Sequence, residues 1–202
     1  MKTAFLFDLD GTITRQELLP IIAREGGLEQ EIAVLTKATV SGLIPFEGSF
    51  KLRVKLLSDL DHNKINGILE NADLYDEVCQ FIQHNIDSSF IVTGNLSVWI
   101  SGLAKRIGCE CFCAEAEILD EKISSIKKLL DKGSIPQILR KRGYDRIVAV
   151  GEGMNDVFMF LNADIGIAYG ATHQPASSVM DVSNYVVFHE RGLCNLLNTL
   201  SS

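Results

Sequence analysis

An acidic pair directly after the first apolar run is the feature that most constrains the fold. Asp8 and Asp10 follow the apolar residues 4–7, whose length and composition predict a buried parallel strand rather than a helix. Ligands of open α/β sheets bind beyond the carboxyl ends of the strands, where this pair is predicted to lie. Two such carboxylates repel each other unless they share a cation or one keeps its proton. An ordinary Asp-Gly turn accounts for the pair equally well, so this segment alone leaves both interpretations open.

Composition and charge limit the classes of protein to consider. Of the 202 residues, 47% are hydrophobic and 22% are charged, which suits a globular core with a small second module. The net charge of −7 argues against nucleic acid or an anionic membrane as a partner. The sequence lacks the run of about 20 apolar residues that a membrane helix needs, and Asp8 interrupts the first apolar run too early for a signal peptide. The sequence holds no indication of oligomeric state.

The five cysteines favour a reducing compartment. Their odd number argues against a disulfide framework. Cys109, Cys111 and Cys113 are spaced two apart and are predicted to share one face of a strand. A zinc site would need a second pair of cysteines or histidines at ligand spacing, and the sequence has none, so buried thiols and a cytoplasmic location are predicted. The histidines are predicted to be surface residues without a role in chemistry: His62, His84, His173 and His189.

Hydrophobic periodicity divides the chain into an α/β core and a helical insertion. Residues 15–72 carry apolar residues at three- and four-residue spacing, typical of helices, and no strong strand pattern. Helices are predicted at residues 16–25, 29–40 and 45–58, with joins marked by Gly26, Gly27 and Gly42. From residue 73 strands and helices alternate. The predicted fold class is therefore α/β: a doubly wound, mainly parallel sheet built from residues 1–14 and 73–202, with a small helical cap, residues 15–72, after the first strand.

The core pattern predicts the remaining strands and helices. Strands are predicted at residues 89–92, around Cys111, across residues 117–126 as a strand or hairpin, and at residues 147–150, 165–168 and 185–188. Helices are predicted at residues 75–85, 97–107, 135–142, 154–161 and 193–200. This βα rhythm is typical of a doubly wound sheet.

Three further segments carry polar groups that suit phosphate or Mg²⁺. Thr93 and Gly94 follow a predicted strand and precede a helix, whose free N–H groups and dipole favour an anion. Lys132 precedes another helix and can offset the charge of a phosphate and two carboxylates. The glycine-rich turn at residues 152–156 offers carboxylates and the amide of Asn155, the oxygen ligands that Mg²⁺ prefers. Helix caps and a solvated lysine explain each segment taken singly.

The order and spacing of these segments resemble the haloacid dehalogenase superfamily, in its phosphatase branch, over nearly the whole chain. Its first motif, DxDGT, is Asp8-Leu9-Asp10-Gly11-Thr12 here. The resemblance implies that Asp8 attacks phosphorus to form an aspartyl-phosphate, and that Asp10 protonates the leaving alcohol and later activates water. It implies phosphate binding by Thr93, Gly94, Asn155 and the catalytic Lys132. It implies Mg²⁺ as cofactor, held by Asp8, Asp10, Glu152 and Asp156.

One position departs from the family pattern. The fourth motif usually begins Gly-Asp-Gly, with that aspartate as a direct Mg²⁺ ligand, and here the position is Glu152. Glutamate keeps the charge but is one methylene longer, and Mg²⁺ demands near-ideal geometry. We therefore expect either a retracted loop or weaker metal binding. Dehalogenating members lack the second aspartate, so Asp10 favours phosphate chemistry.

Within the insertion, the chain resembles the phosphoserine phosphatase family. Glu17 lies where that family has its amine-binding glutamate, and Phe46 and Arg53 lie where it has an apolar lid and a carboxylate clamp. The residues carry the same logic on their own, because an acid and an arginine over one pocket complement the ammonium and carboxylate of an amino acid. Ordinary surface charges on cap helices are the alternative.

The leading hypothesis is a Mg²⁺-dependent phosphomonoester hydrolase that acts on phosphoserine, with a small phosphorylated metabolite as its partner. One alternative keeps the chemistry but changes the substrate to another small phosphate ester, or passes the phosphoryl group to an acceptor alcohol. A second alternative is a phosphate-binding module that is catalytically weak because of Glu152. Receiver domains share the acid cluster but have no cap, which argues against that form of the module.

Overall fold

A seven-stranded sheet with the strand order β4-β3-β2-β1-β5-β6-β7 forms the centre of the fold. The structure is a computed structural model that describes residues 1–40 and 43–201, without the side chain of Val40, so Gly42 lies outside the described residues. All neighbouring strands are parallel except β3 and β4. The strands are β1 Thr3–Phe7, β2 Ser89–Leu96, β3 Glu110–Leu119, β4 Lys122–Lys128, β5 Arg146–Gly151, β6 Ile165–Tyr169 and β7 Tyr185–Val187.

The helices of the described residues lie in the cap and on both faces of the sheet. The cap helices are α1 Leu18–Glu25, α2 Glu29–Val40, α3 Phe46–Leu57 and α4 His62–Leu69. The core helices are α5 Asp76–His84, α6 Ser97–Ile107, α7 Ile135–Lys141, α8 Val157–Asn162, α9 Ser177–Met180 and α10 Glu190–Leu200. Single 3₁₀ turns form at Ile86–Ser88, Lys132–Ser134 and Met154–Asp156. The α/β fold class with a doubly wound sheet is confirmed.

The central strand β1 is buried on both faces. Phe5 and Phe7 pack into a core with residues of α5, α6 and α10, and Ala4 and Leu6 pack into a second core with residues of α7, α8 and α9. Successive side chains of a strand point to opposite faces, so a continuous apolar run is required where helices cover both sides. This burial fixes the end of β1, and with it the position of Asp8.

The strand predicted around Cys111 and the hairpin predicted at residues 117–126 are one antiparallel pair, β3 and β4. The first strand is longer than expected, because it continues past the sheet into the hairpin. Cys109, Cys111 and Cys113 pack against the same hydrophobic core, so their shared face is confirmed, and all three are free thiols.

The insertion forms helices only within its described residues, as predicted. The helix α4 was missed because Gly67 and two asparagines give its sequence low helical propensity. It forms because Asp61 caps its first turn and because Ile65 and Leu69 are buried. Its Asn66 side chain donates to Ser101 Oγ and accepts from the N–H of Gly102, both at 2.8 Å, which docks it on α6.

Two backbone hydrogen bonds hold the ends of the insertion together. The N–H of Arg15 donates to Asp73 O, and the N–H of Tyr75 donates to Ile13 O, both at 2.9 Å. The division into a core of residues 1–14 and 73–202 and a cap of residues 15–72 stays a prediction. Among the described helices, none has the length and apolar character needed to cross a bilayer.

Candidate active site

The predicted site residues come together where β1, β2 and β5 end. Asp8 directly follows β1, Thr93 lies in the last half of β2, and Glu152 directly follows β5. Because β1 pairs with β2 on one side and with β5 on the other, these positions are neighbours at the carboxyl edge of the sheet. Lys132 reaches the same edge from the 3₁₀ turn before α7.

Lys132 bridges the carboxylates of Asp8 and Asp156. Its Nζ lies 2.7 Å from Oδ1 of each, and all three side chains are buried. The N–H of Leu9 also donates to Asp8 Oδ1 at 2.7 Å, and no other described residue donates a hydrogen bond to Oδ2. One oxygen of Asp8 is therefore fixed by donors, while the other is free to attack an electrophile.

The charges around Lys132 change how these groups titrate. Burial raises the pKa of Asp8 well above its usual range and the Asp156 carboxylate adds to the rise, although Lys132 opposes both. Burial acts to lower the pKa of Lys132, but Asp156 and Asp8 outweigh it and raise that pKa above its usual value. Lys132 therefore stays protonated and supplies a permanent positive charge beside the nucleophile.

Asp10 has the properties of a general acid. Burial, followed by the charge of Glu17, raises the pKa of Asp10 to about 7, against a hydrogen bond from the N–H of Leu18. That N–H lies 2.9 Å from Oδ1, and the side-chain amide of Asn95 donates to Oδ2. A pKa near neutrality suits both proton donation and proton uptake. Asn95 was not among the predicted site residues, because its contact with Asp10 depends on how β1 and β2 align.

The turn at residues 152–156 is organised around Asp156. Its Oδ2 accepts hydrogen bonds from the N–H groups of Glu152 and Gly153, at 3.0 and 2.9 Å. Asn155 is half-buried and its side-chain oxygen lies against Gly153. Asp156 therefore shapes the loop and anchors Lys132, and its Oδ1 and Oδ2 already accept these hydrogen bonds.

Glu152 extends past the end of β5 toward Gly11. A Cβ at Gly11, which has a φ of +67°, would lie 2.6 Å from Glu152 Oε1, so only glycine fits there. Glu152 is 8% exposed, and its Oε2 has no hydrogen-bond partner among the described residues. Burial, then the charge of Glu17, raises the pKa of Glu152 to about 9. The loop has not retracted to compensate for the longer side chain; the carboxylate instead turns toward Gly11 and Glu17.

The residues at this edge fit a small dication. Carboxylates outnumber the buried cations Lys132 and Arg53: Asp8, Asp10, Glu17, Glu152 and Asp156. Asp8 Oδ2 and Glu152 Oε2 are without hydrogen bonds from the described residues, and carboxylate oxygens are the ligands of Mg²⁺. Both oxygens of Asp10 and of Asp156 already accept hydrogen bonds. The metal-ligand roles of all four predicted residues stay predictions.

The buried carboxylate of Glu152 predicts a pH-dependent stability without metal. Because the folded protein raises its pKa from 4.5 to about 9, stability is lost as the pH rises through that interval. In urea unfolding with a chelator present, Glu152→Gln is expected to match the parent at about pH 4.5 and to exceed it by at least about 1 kcal/mol at about pH 9. Glu121→Gln, an exposed hairpin glutamate, is the matched control. A stability difference that does not change with pH would contradict this account.

Phosphate-binding candidates lie beneath the cap. Thr93 is fully buried and its hydroxyl accepts from the N–H of Asn95 at 3.2 Å. A Cβ at Gly94 would lie 3.3 Å from Cζ of Phe46 on α3, and the Phe46 ring stacks on that of Phe50. The cap therefore touches the loop after β2, and a larger residue at position 94 would push the two apart.

Arg53 is a buried arginine without an acidic partner. It is 6% exposed, and its only hydrogen bonds to described residues are long ones, to Ser49 O at 3.4 Å and to Thr36 Oγ1 at 3.5 Å. No carboxylate of the described residues lies within 4.0 Å. Burial lowers the pKa of Arg53, while Glu17 and Asp10 act to raise it. The guanidinium thus faces the acid-lined pocket with its fork unpaired, which suits a carboxylate of a ligand.

Glu17, at the N-cap position of α1, meets a residue that sequence reasoning assigned no role. His173 Nε2 lies 3.5 Å from Glu17 Oε1, and the hydrogen bond with Glu17 raises the pKa of His173. His173 is a surface residue as predicted, but the segment after β6 reaches the site, where Thr172 also shares a hydrogen bond of 2.9 Å with the Tyr75 hydroxyl. Linear spacing held no signal for these contacts.

The sequence profile of the haloacid dehalogenase-like hydrolases matches residues 5–160, which is most of the chain and includes the edge of the sheet just described. The chain belongs to the haloacid dehalogenase-like hydrolase family. The resemblance identified from the DxDGT motif is thereby confirmed.

Within the haloacid dehalogenase-like hydrolases, several relatives share one name. A phosphoserine phosphatase of Methanocaldococcus jannaschii is 29% identical, over 84% of this chain and 86% of that protein. A phosphoserine phosphatase of Archaeoglobus fulgidus is 28% identical over 84% of this chain, which spans only about half, 53%, of that protein. A solved structure, a phospho-aspartyl intermediate analogue of phosphoserine phosphatase, is 25% identical with a TM-score of 0.81 and covers 96% of this chain and 98% of its own.

Proposed function

We propose that this chain is a phosphomonoesterase that hydrolyses phosphoserine through an aspartyl-phosphate on Asp8, with Mg²⁺ as cofactor. The observation that carries the proposal is the placement of three groups in one pocket: the free Oδ2 of Asp8, the proton-carrying Asp10 and the unpaired Arg53. The names of the relatives and of the solved structure support the same activity.

In the first step, Asp8 Oδ2 attacks phosphorus, and the bond from phosphorus to the serine oxygen breaks. Asp10 gives its proton to that oxygen, so serine leaves as a neutral alcohol. Lys132 keeps Asp8 Oδ1 in place and, with Thr93 and the backbone at Gly94, stabilises the negative charge on the phosphoryl oxygens.

In the second step, water attacks the phosphorus of the aspartyl-phosphate. Asp10, now ionised, takes a proton from the water, and the bond from phosphorus to Asp8 breaks to release phosphate. Asp10 returns to its protonated form, so the cycle needs a group with a pKa near neutrality, as Asp10 has. Contact between Phe46 and Gly94 supports the exclusion of bulk water while the ester is cleaved.

The proposed cofactor is held by Asp8 and Glu152, with Asp10 and Asp156 as the further ligands that the family resemblance implies. When bound, Mg²⁺ supplies positive charge that screens the phosphate from the carboxylates and lowers the cost of bringing two anions together. A cytoplasmic location is also part of the proposal, because all five cysteines are free thiols and reducing compartments keep them so.

Substrate choice is assigned to the cap. Arg53 pairs with the substrate carboxylate and Glu17 with the substrate ammonium, while Phe46 covers the pocket. The buried guanidinium without a carboxylate within the described part of the chain supports this, since a buried arginine is normally paired.

Replacing Arg53 tests the substrate. Charge-assisted hydrogen bonds contribute about 1.5–3 kcal/mol, so Arg53→Ala is expected to lower kcat/KM for phosphoserine by about 10- to 100-fold. Phosphoethanolamine, which lacks the carboxylate, is expected to change by less than about threefold. The measurement is steady-state phosphate release with and without Mg²⁺, across a panel of phosphate esters. Serine and homoserine, added as acceptors, reveal any phosphoryl transfer.

Arg24→Ala is the matched control, because Arg24 is an exposed cap arginine paired with Glu29. Equal losses for phosphoserine and phosphoethanolamine in Arg53→Ala would contradict the carboxylate clamp. A parent protein that hydrolyses other esters but not phosphoserine would overturn the substrate while leaving the reaction class in place.

A further inference from the structure

Glu17, Glu152 and His173 form a cluster that the proposed reaction does not use as a unit. One ligand atom of each lies within 4.8 Å of the others. The three residues come from the segment before α1, the turn after β5 and the segment after β6. The N–H of Ala176 donates to Glu152 O at 2.9 Å, which ties the segment that carries His173 to the turn that carries Glu152.

An unpartnered buried oxygen at the base of this cluster points to a ligand. Glu152 is 8% exposed, and its Oε2 has no hydrogen-bond partner among the described residues. A buried carboxylate oxygen without a partner is costly unless something binds it. The side chains of Glu17 and His173 are 33% and 52% exposed, so the cluster is closed at Glu152 and open to solvent at His173.

The donor set selects the class of ligand. Imidazole nitrogen combined with carboxylate oxygen suits Zn²⁺ and related transition-metal ions, whereas Mg²⁺ takes oxygen ligands. Two ligands at typical zinc distances in a tetrahedral site lie roughly 3.3 Å apart. His173 Nε2 and Glu17 Oε1 lie 3.5 Å apart, so little movement is needed. Three protein ligands would leave a fourth position for water or for a substrate atom.

We propose that Glu17, Glu152 and His173 bind a Zn²⁺-like ion at the mouth of the active site, separately from the Mg²⁺ of the reaction. The longer side chain of Glu152 makes this site possible, because its carboxylate extends toward Glu17. An ion held there takes Glu17 from the substrate ammonium and Glu152 from Mg²⁺. The site therefore inhibits turnover, and this inhibition, unlike the metal binding itself, rests on the proposed function.

Co²⁺ is the probe for the site, because its visible absorption reports tetrahedral nitrogen and oxygen ligation. The full-length protein is titrated with Co²⁺ in excess Mg²⁺, and Zn²⁺ is then added. The parent is expected to give the visible bands and to lose them to Zn²⁺. His173→Gln and Glu152→Asp are each expected to weaken Co²⁺ binding by at least about tenfold. His189→Gln, an exposed histidine away from the cluster, is expected to bind Co²⁺ as the parent does.

Inhibition is measured as the ratio of phosphate release with and without Zn²⁺ for each variant. Zn²⁺ is expected to compete with phosphoserine in the parent and in His189→Gln, and to inhibit His173→Gln at least about tenfold less strongly. Co²⁺ affinity in His173→Gln or Glu152→Asp equal to that of the parent would overturn the site. Co²⁺ bands that need His173 in a protein without phosphatase activity would support the site and overturn only the proposed function.

Discussion

Asp8→Asn is expected to lower phosphate release from phosphoserine by at least about 10³-fold, because it removes the oxygen that forms the covalent intermediate. The amide is nearly isosteric with the carboxylate, so the contacts to Lys132 and Leu9 set the same side-chain position. Burial already raises the pKa of Asp8, so the ionised carboxylate disfavours the folded state. The variant is therefore expected to stay folded, and lost activity reports chemistry.

Covalent labelling separates a missing nucleophile from a poorly formed site. Rapid quenching after mixing with phosphate-labelled phosphoserine is expected to trap label on the parent and none on Asp8→Asn. Asp120→Asn is the matched control, because Asp120 is an exposed hairpin residue whose φ of 49° asparagine also tolerates. Turnover of Asp8→Asn within about tenfold of the parent would show that Asp8 is not the nucleophile.

The sequence predicts the core of this fold because its strands are buried on both faces. A run such as residues 4–7 has no alternative to burial, and the polar residues that follow it, Asp8 and Asp10, are then placed by topology alone. The same reasoning brings Thr93, Lys132 and Glu152 to one edge, which is where the structure has them. Strand order and parallel pairing therefore make the meeting of these residues readable without coordinates.

Contacts that depend on side-chain direction could not be predicted in this way. The sequence showed that Glu152 is one methylene longer than the usual aspartate, but not that its carboxylate turns toward Gly11 and Glu17. The positions of His173 and Asn95 follow from loop packing and strand alignment, which leave no periodic signal. The helix α4 was missed for a related reason: its stability comes from docking on α6 rather than from propensity.

The geometry also gives the departure at Glu152 a physical meaning. A glutamate at this position keeps an oxygen available to a cation, so the substitution does not by itself remove the metal. It does move negative charge toward Glu17, whose own charge helps to raise the pKa of Glu152. The consequence falls on competition between cations at the pocket mouth rather than on the identity of the nucleophile.

Lys132→Met is expected to lower the free energy of unfolding by about 3–5 kcal/mol, because it leaves two buried carboxylates without their shared cation. Lys132 Nζ lies 2.7 Å from both Asp8 and Asp156, and methionine matches its length without the charge. In the variant, repulsion raises the pKa of Asp8 further, so stability is lost as the pH rises. Urea unfolding with a chelator present is expected to show a larger loss at about pH 8 than at about pH 5.

A second substitution tests whether charge causes the loss. Adding Asp156→Asn to Lys132→Met removes one of the uncompensated carboxylates, so the double variant is expected to be more stable than Lys132→Met alone. Lys127→Met is the matched control, because Lys127 is an exposed lysine paired with Glu115 at 3.6 Å, and exposed pairs contribute less than about 1 kcal/mol. A loss in Lys132→Met no larger than in this control would mean that Lys132 does not hold the carboxylates together, and its role beside the nucleophile would have to be assigned to another cation.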